Sequence, residues 1–351
     1  MLRQAMKRSK VTIKEMAERL KVSPSTISRA LQNHPSIGKK MTQEVHKLAE
    51  KLGYYPNSLA ANLRRNKTNL IGVIIPRIDR HFQSSAISGI EEVASKAGYY
   101  VVIFQSNNSY EREKENARML MSSQADGVIA CLAMETNNYD HLLAFKNNNV
   151  PLVFFDRVCY ELETHKVVID DFGAAMKATE HLISIGCKRI AHVAGNQQIA
   201  IFRDRLRGYQ EALRRNNLAQ EDELIYYTED LSGKEGALAA RRFLEMPSRP
   251  DGVFCSNDTS AISVIQEVKR TGCKVPDDMA VVGFSNTPVS LIVEPALTTI
   301  DDHAFEMGQA AARMVIRQIE QPQEDIASET IIIRNDLVVR ESTLKQKLTA
   351  D

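Results

Sequence analysis

The sequence lacks most signatures of a membrane protein, a secreted disulfide-bonded protein or a zinc protein. It has no tryptophan, and its five cysteines include no C-x-x-C pair, which is typical of reduced thiols in a cytosolic protein. Apolar runs such as residues 70–76 are too short to span a bilayer. No apolar segment follows Lys7 and Arg8, so we expect no secretory signal, no membrane association and a cytoplasmic location.

Motifs that bind cofactors or activate nucleophiles are also missing. The chain contains no G-x-G-x-x-G, no G-x-x-x-x-G-K-[ST] and no H-E-x-x-H. Residues 283–287 resemble a nucleophile elbow, but Thr287 replaces the final glycine and a proline follows it. We therefore expect no catalytic residue, no metal and no cofactor, and we treat an α/β enzyme as the disfavoured alternative.

Charge is distributed unevenly along the chain. Residues 1–67 hold 15 Lys and Arg against 4 Asp and Glu, whereas the other 284 residues hold 30 against 40. A small basic unit joined to a larger acidic one predicts a head that binds a polyanion and a body that avoids it. A solvated basic tail is the alternative, but the basic part also has regular helical patterning.

Three helices are predicted in the basic head. Thr12 and Glu15 have the spacing of a helix capping box, and apolar residues recur behind them at helical intervals. Ser23 followed by Pro24 is an N-cap with a first-turn proline, which begins a short second helix. A third helix is expected over residues 39–52. Two short helices joined by a tight turn and braced by a third form a helix-turn-helix.

The second helix presents Ser25, Thr26, Ser28 and Arg29 on its predicted exposed face. Hydroxyl groups bind phosphates or base edges, and an arginine can bind guanine through two hydrogen bonds. This face therefore predicts a reader of the major groove of double-stranded DNA. A solvated polar face on an ordinary three-helix bundle is the alternative that the helical pattern alone leaves open.

Residues 57–68 join the head to the rest of the chain. Asn57 is a potential cap for about two turns of helix, a length that is unstable alone in water. Such a helix folds only when a partner supplies contacts, and a plain flexible linker is the alternative.

From residue 69 onward, short apolar runs alternate with amphipathic helical segments. This alternation predicts an α/β fold with doubly wound parallel sheets, and the strands are too many for one sheet, so we expect two lobes. The predicted strands are residues 70–75, 99–104, 127–131, 152–155, 167–169, 189–193, 224–227, 252–254, 279–284 and 297–300.

The predicted organisation has three parts. A helix-turn-helix headpiece takes residues 1–56, a hinge takes residues 57–68, and a two-lobed body takes residues 69–351. The expected lobes are residues 69–169 with 299–329, and residues 170–298 with 330–341.

Polar and aromatic residues follow several predicted strands. The carboxyl ends of parallel strands line the cleft between two such lobes, where carboxylates, amides and guanidinium groups bind sugar hydroxyls and an aromatic ring stacks on the sugar. Each residue alone fits a loop cap or an ion pair equally well, but their shared placement predicts a ligand cleft. The candidate residues are Phe82, Asp156, Arg157, Arg205, Asn257 and Ser285.

Residues 12–31, T-I-K-E-M-A-E-R-L-K-V-S-P-S-T-I-S-R-A-L, resemble the headpiece of the lac repressor and purine repressor family (LacI-GalR) of bacterial transcription regulators. Tyr55-Pro56-Asn57 and Leu63 match the family's hinge. In the body, F-F-D-R, F-C-S-N-D and G-F-S-N followed by E-P-A-L-T-T-I are similar to family signatures. The resemblance spans nearly the whole chain and implies a headpiece on a body like a periplasmic binding protein.

The resemblance also implies roles for residues of the head and hinge. Ser25, Thr26 and Arg29 would read bases, while Leu63 would wedge open a base step in the minor groove with Arg64 beside it. The residues implied to hold phosphates are Thr12, Ser23 and Ser28. Gln32, Gly38 and Thr42 depart from common family residues at these positions.

In the body, the resemblance implies that Asp156, Arg157, Arg205 and Asn257 contact a small effector. Ser285 stands where an aspartate is often found. Leu231 stands where the purine repressor has an aromatic ring, which argues against a purine.

The expected function is a sequence-specific, DNA-binding transcription regulator, a repressor controlled by a sugar or sugar acid. Only Leu344 and Leu348 form a heptad-like pair after Arg340, too few for a coiled coil, so we expect a homodimer on a palindromic operator. A periplasmic sugar-binding protein is the other alternative, but it has no use for a basic headpiece.

Overall fold

A computed structural model describes residues 11–54, 67–322 and 328–344. The chain divides into two compact units, Met1–Thr68 and Asn69–Asp351, and each unit is treated separately below. No helix among the described residues is long and apolar enough to cross a membrane.

The first unit is the predicted helix-turn-helix. Its helices are α1 (Ile13–Leu20), α2 (Pro24–Leu31) and α3 (Lys39–Leu52), with the bounds that the caps and the apolar spacing indicate. Gly53 ends α3 with φ of 60°, a left-handed conformation that glycine adopts without strain. The core consists of Met16, Ala17, Ile27, Ala30, Val45 and Ala49.

The second unit contains parallel strands that alternate with helices, as predicted. The strands among the described residues are β1 (Leu70–Ile75), β2 (Tyr100–Gln105), β3 (Gly127–Ala130), β4 (Leu152–Phe155), β5 (His165–Ile169), β6 (Ile190–Ala194), β7 (Ile225–Tyr227), β8 (Gly252–Cys255), β9 (Ala280–Phe284), β10 (Thr298–Asp301), β11 (Thr330–Ile333) and β12 (Asp336–Val338). The helices are α4 (His81–Lys96), α5 (Tyr110–Ser122), α6 (Asp140–Asn147), α7 (Asp171–Ser184), α8 (Ala200–Arg215), α9 (Gly233–Glu245), α10 (Asp258–Arg270), α11 (Val289–Ile292) and α12 (Ala304–Glu320). A short 3-10 helix spans Asp222–Leu224.

These strands form two six-stranded sheets, one in each lobe. The first sheet has the order β11-β5-β4-β3-β1-β2 and the second has the order β12-β10-β9-β8-β6-β7. All pairs are parallel except β10 with β12. In both sheets the strand order reverses beside the first strand of the lobe, so polar residues after the strands gather at one edge.

The predicted lobe boundaries at residues 298/299 and 329/330 are wrong. β10 lies wholly in the second sheet, so the chain crosses to the first lobe only after Asp301. β11 pairs with β5 of the first sheet, and β12 pairs with β10 of the second, so the last crossing falls at residues 334–335. The boundaries are misplaced because β11 and β12 are short edge strands. Which sheet each one joins depends on pairing with strands far away in the sequence.

Close helix packing holds the first lobe together across its two sequence segments. A Cβ atom on Gly89 of α4 would lie 2.1 Å from the Phe305 carbonyl oxygen, and one on Gly308 of α12 would lie 1.9 Å from the Ala86 carbonyl oxygen. Only glycine allows the two helix backbones to approach so closely. The second segment of the lobe is therefore locked against the first, and Met307, Ala311 and Val315 complete the core.

Candidate functional site

The helix-turn-helix surface presents the residues predicted to contact DNA. Ser25 and Arg29 on α2 are exposed, and Thr26 and Ser28 are half-buried. Ile27 and Ala30 on the opposite face of α2 are fully buried. The packing of that apolar face determines which side chains of α2 point to solvent.

Thr12 and Ser23, the predicted phosphate ligands, are also helix caps. Thr12 Oγ1 accepts a hydrogen bond from the Glu15 backbone N–H at 3.2 Å, and Ser23 Oγ accepts one from the Thr26 N–H at 3.2 Å. A hydroxyl that accepts such a bond can still donate its proton, so capping by Thr12 is compatible with phosphate binding. Ser23 Oγ also lies 2.8 Å from Ser25 Oγ and 2.9 Å from Thr26 Oγ1, so a phosphate would compete with these two hydroxyl groups. Asn57, Leu63 and Arg64 lie outside the described residues.

The second unit has a cleft between its two lobes, which we call the interlobe cleft. All six residues predicted from the sequence line it: Phe82, Asp156, Arg157, Arg205, Asn257 and Ser285. Its other polar lining residues are Arg77, Arg80, His81, Gln83, Asn108, Asp230, Ser256, Asp258, Thr259, Thr287 and Asp302. They follow β1, β2 and β4 of the first sheet and β6 to β10 of the second, so both lobes contribute to one site.

Arg205 is a buried, hydrogen-bonded side chain in the second lobe's wall of the cleft. Arg205 is 5% exposed. Its Nε donates to Asp171 Oδ1 at 2.8 Å, and its Nη1 donates to the Ser256 carbonyl oxygen at 2.7 Å. The guanidinium carbon lies 3.5 Å from the centroid of the Phe284 ring, a cation–π contact. Burial raises the pKa of Asp171 to about 6, although Arg205 opposes this shift. Sequence reasoning missed Asp171, which lies 34 positions from its partner.

Asp156 and Arg157 face the cleft from the end of β4. Arg157 Nη1 donates to Asn108 Oδ1 at 2.9 Å, which ties together the loops after β2 and β4. Burial raises the pKa of Asp156, while the positive charges of Arg157 and Arg205 lower it. The carboxyl group is thus a hydrogen-bond acceptor in a largely desolvated position.

Asp302, at the end of β10, supplies a second carboxyl group that the sequence interpretation missed. It is 3% exposed, and it forms a side-chain hydrogen bond with Ser285, while burial raises its pKa to about 7. Ser285 departs from the family's aspartate, and Asp302 from the neighbouring strand places a carboxyl group beside it. Asp302 directly follows β10. It could therefore have been predicted by the rule used for the other strands, which selects a polar residue just after the end of a strand.

Asn257 and Asp258 contribute mainly to the scaffold of the cleft. Asn257 caps α10 by accepting from the Ser260 N–H at 2.8 Å, and its amide donates to the Leu231 carbonyl at 3.0 Å. Asp258 accepts from the Thr287 N–H at 2.7 Å and from the Thr299 hydroxyl at 2.6 Å. Both ends of the Asn257 amide are therefore already hydrogen-bonded within the protein, which leaves fewer groups to bind a ligand than its position after a strand indicates.

Unpaired buried atoms indicate what the cleft can bind. Five buried side-chain N or O atoms among the described residues have no hydrogen-bond partner, and two of them, Gln83 Oε1 and Arg157 Nε, belong to cleft residues. Buried polar atoms are normally paired, so each exception needs an explanation. A polar ligand that offers both a donor and an acceptor would satisfy them. Within the described ranges, no group of three or more His, Cys, Asp or Glu residues is arranged to hold a metal ion.

Both units are similar to known bacterial proteins. Residues 12–57 match the model of "Bacterial regulatory proteins, lacI family", and residues 179–343 match that of a "Periplasmic binding protein-like domain". The chain is 32% identical to the HTH-type transcriptional repressor CytR of Escherichia coli K12, over 95% of this chain and 96% of the relative. It is 31% identical to the ribose operon repressor of Halalkalibacterium halodurans, over 95% and 97%. A crystal structure of the lac repressor dimer bound to operator and the anti-inducer ONPF has a TM-score of 0.85 and 25% identity, and covers 96% of this chain and 100% of that one.

Proposed function

This chain belongs to the lacI family of bacterial regulatory proteins and is a DNA-binding transcription regulator with an effector-binding domain, and we propose that it is a repressor controlled by a carbohydrate bound in the interlobe cleft. Its relatives are transcription regulators, so it is a regulator and not an enzyme. The observation that carries the effector proposal is a cleft lined from both lobes by buried carboxyl groups, four arginines and the Phe82 ring, with an unpaired buried donor and an unpaired buried acceptor.

For DNA, we propose that α2 enters the major groove of a palindromic operator, with one headpiece per half-site. Ser25, Thr26 and Arg29 are proposed to read bases. The proposed phosphate ligands are Thr12, Ser23 and Ser28. In the hinge, the proposed cap role of Asn57 comes from the sequence pattern, and the roles of Leu63 as a minor-groove wedge and of Arg64 beside it come from the family resemblance. Because its target is chromosomal DNA, we place its action in the cytoplasm.

Replacing Arg29 by alanine tests the DNA-reading role. Arg29 is exposed on α2, so its removal should leave folding unchanged, weaken operator binding by about 1–3 kcal/mol and relax the preference at one base pair per half-site. The measurement is binding to an operator selected from random duplexes and to its single-base variants. An equal loss on every sequence would make Arg29 a phosphate contact, and Arg19→Ala on α1 is the control for charge alone.

A homodimer requires a self-complementary surface, and the second lobe exposes an apolar one. Val289, Leu291 and Ile292 on α11 are 48%, 61% and 80% exposed. Contiguous exposed apolar residues mark interaction sites. We propose that this surface contributes to the contact between two copies of the chain, which would place two headpieces on one palindrome.

An Ile292→Asp variant is expected to be monomeric at micromolar concentration, because a charge would be buried in the proposed contact. Its affinity for a palindromic operator should fall about 100-fold, since the second headpiece no longer binds within the same molecule. Light scattering and operator titration measure both effects. Ile332→Asp is the matched control, because Ile332 is also exposed, at 65%, but lies on β11 at an edge of the first sheet. Dimers of unchanged affinity in the Ile292 variant would contradict the proposed surface.

Three features of the cleft and the name of one relative support a carbohydrate as the effector. The carboxyl groups of Asp156 and Asp302 accept from hydroxyl groups, the guanidinium groups of Arg157 and Arg205 donate to them, and Phe82 offers an apolar face. One relative is named for the ribose operon.

Because both lobes contribute to the cleft, a bound ligand favours a closed cleft, and closure is proposed to alter the spacing of the two headpieces. Such coupling is reciprocal: DNA and effector must change each other's affinity by the same factor.

A further inference from the structure

Gln83 occupies an unusual place in the interlobe cleft. It lies in the first turn of α4, next to Phe82, and is 4% exposed. Its Oε1 is buried and has no hydrogen-bond partner. A buried glutamine that serves the fold usually has both ends of its amide paired, because an unpaired buried acceptor is destabilising. Gln83 lines the interlobe cleft, so its amide has an unmet requirement for a donor that a ligand in the cleft can supply.

The other end of the Gln83 amide is held by a short chain of hydrogen bonds. Gln83 Nε2 lies 3.4 Å from Cys131 Sγ, and Cys131 Sγ lies 3.4 Å from Asp156 Oδ2. Burial raises the pKa of the Cys131 thiol, so the sulfur keeps its single proton. That proton is donated to the carboxylate of Asp156, and the sulfur can then only accept from the Gln83 amide nitrogen. This order leaves Oε1, an acceptor, as the free end.

The position of Cys131 makes this arrangement rigid. Cys131 follows β3 and is fully buried, and its backbone N–H donates to the Ile74 carbonyl at 2.9 Å. β3 lies between β1 and β4 in the sheet, Gln83 is in the helix that follows β1, and Asp156 directly follows β4. The thiol therefore links two residues that face the same ligand space from different strands.

We propose that Gln83 is a specificity-determining residue of the effector cleft, whose Oε1 accepts a hydrogen bond from a hydroxyl or amino group of the ligand, and that Cys131 is the positioning residue which orients the Gln83 amide. The inference rests on the proposed function, because it assigns a ligand atom within the same cleft. It requires a donor at that point of the ligand and disfavours an ether, a carbonyl or a halogen there. Removing the donor would leave a buried acceptor unpaired, which discriminates more strongly than loss of an apolar contact.

The first test needs no ligand. Gln83→Met keeps the length of the side chain and removes the unpaired acceptor, so the Tm of the full chain without ligand should be unchanged or higher. Gln266→Met is the matched control, because Gln266 is exposed on α10 and lies outside the cleft. A Tm clearly below that of both the parent and the control would show that Gln83 supports the fold, and would overturn the proposal.

The second test uses D-ribose, D-glucose and D-galactose, with their monodeoxy and O-methyl derivatives, as probes in thermal shift and calorimetry. The parent protein should bind one of these sugars and lose about 10- to 100-fold in affinity when one particular hydroxyl is removed or methylated. Gln83→Met should bind the intact sugar more weakly by a similar factor and no longer distinguish it from that derivative. Retained discrimination at every hydroxyl in Gln83→Met would overturn the proposal.

The carbohydrate assignment and the role of Gln83 are contradicted by different results. If no probe binds the parent, the carbohydrate assignment fails and the role of Gln83 falls with it. If the parent binds a probe and Arg205→Met does not, while Gln83→Met discriminates as the parent does, only the role of Gln83 is lost.

Cys131→Ala should weaken the discrimination between the sugar and its derivative, and Cys131→Ser should retain it, since a hydroxyl can both donate to Asp156 and accept from Gln83. Equal discrimination in both variants would remove Cys131 as a positioning residue.

Discussion

An Arg205→Met variant is expected to lose its response to effector and to unfold with a free energy about 3–5 kcal/mol below that of the parent. The loss of response follows from the position of Arg205 in the wall of the interlobe cleft, where its guanidinium group also stacks on Phe284. The loss of stability follows from its bond to Asp171, which would be left as a buried carboxyl group without its cation. Chemical denaturation measures the stability, and operator titration with and without a binding sugar measures the response.

Two further variants separate these effects. Arg207→Met on the same helix removes an exposed arginine that pairs with Asp204 at 2.9 Å, so it should change stability by less than about 1 kcal/mol and keep the response. The double variant Arg205→Met, Asp171→Asn removes both buried charges and should recover part of the stability without recovering the response. An Arg205→Met protein that responds to effector as the parent does would remove this arginine from the binding site.

The second large effect is a dependence of stability on pH through Asp302. Its pKa in the folded protein is raised from 3.8 to about 7, chiefly by burial. A group with a raised folded pKa binds its proton more tightly in the folded state. Its contribution to stability is therefore fully present below pH 4 and is lost as the pH rises towards 7. The change is about 1.4 kcal/mol per pH unit in that window, of the order of 4 kcal/mol in total.

An Asp302→Asn variant should lack this dependence. The amide is neutral at every pH and can still accept from the Ser285 hydroxyl, so the variant should be more stable than the parent at pH 8 and lose the advantage near pH 4 to 5. The difference between variant and parent is the quantity to measure, by urea unfolding from pH 4 to 8. Burial lowers the pKa of His192 to about 4, which changes stability in the opposite direction, but this effect is common to both proteins and cancels.

The control for Asp302 is Asp277→Asn, which makes the same chemical change at an exposed position. Its stability should follow that of the parent at each pH. Parallel curves for Asp302→Asn and the parent would show that Asp302 has an ordinary pKa in the folded state. Asp171 and Asp258, whose pKa values burial raises to about 6, should add a weaker dependence of the same sign to both proteins.

The headpiece could be predicted from the sequence almost residue by residue. Its helix caps, Thr12 and Ser23, act on backbone groups three residues away, and its apolar periodicity is visible within one helix. The central strands of the body were equally accessible, because buried parallel strands are continuous apolar runs. β11 and β12 could not be predicted in this way, because β11 alternates exposed and half-buried residues. No local pattern indicates which sheet such a strand joins.

The sequence by itself determined the family, the two kinds of unit and the six candidate residues that meet in the interlobe cleft, because each depends on local signals or on the rule that strand ends gather at one sheet edge. Only the tertiary structure decided how those residues are used. It paired Arg205 with Asp171, brought Asp302 beside Ser285, committed Asn257 to capping a helix and left Gln83 Oε1 unpaired. Burial and hydrogen-bond partners set these roles, and both arise from segments far apart in the chain.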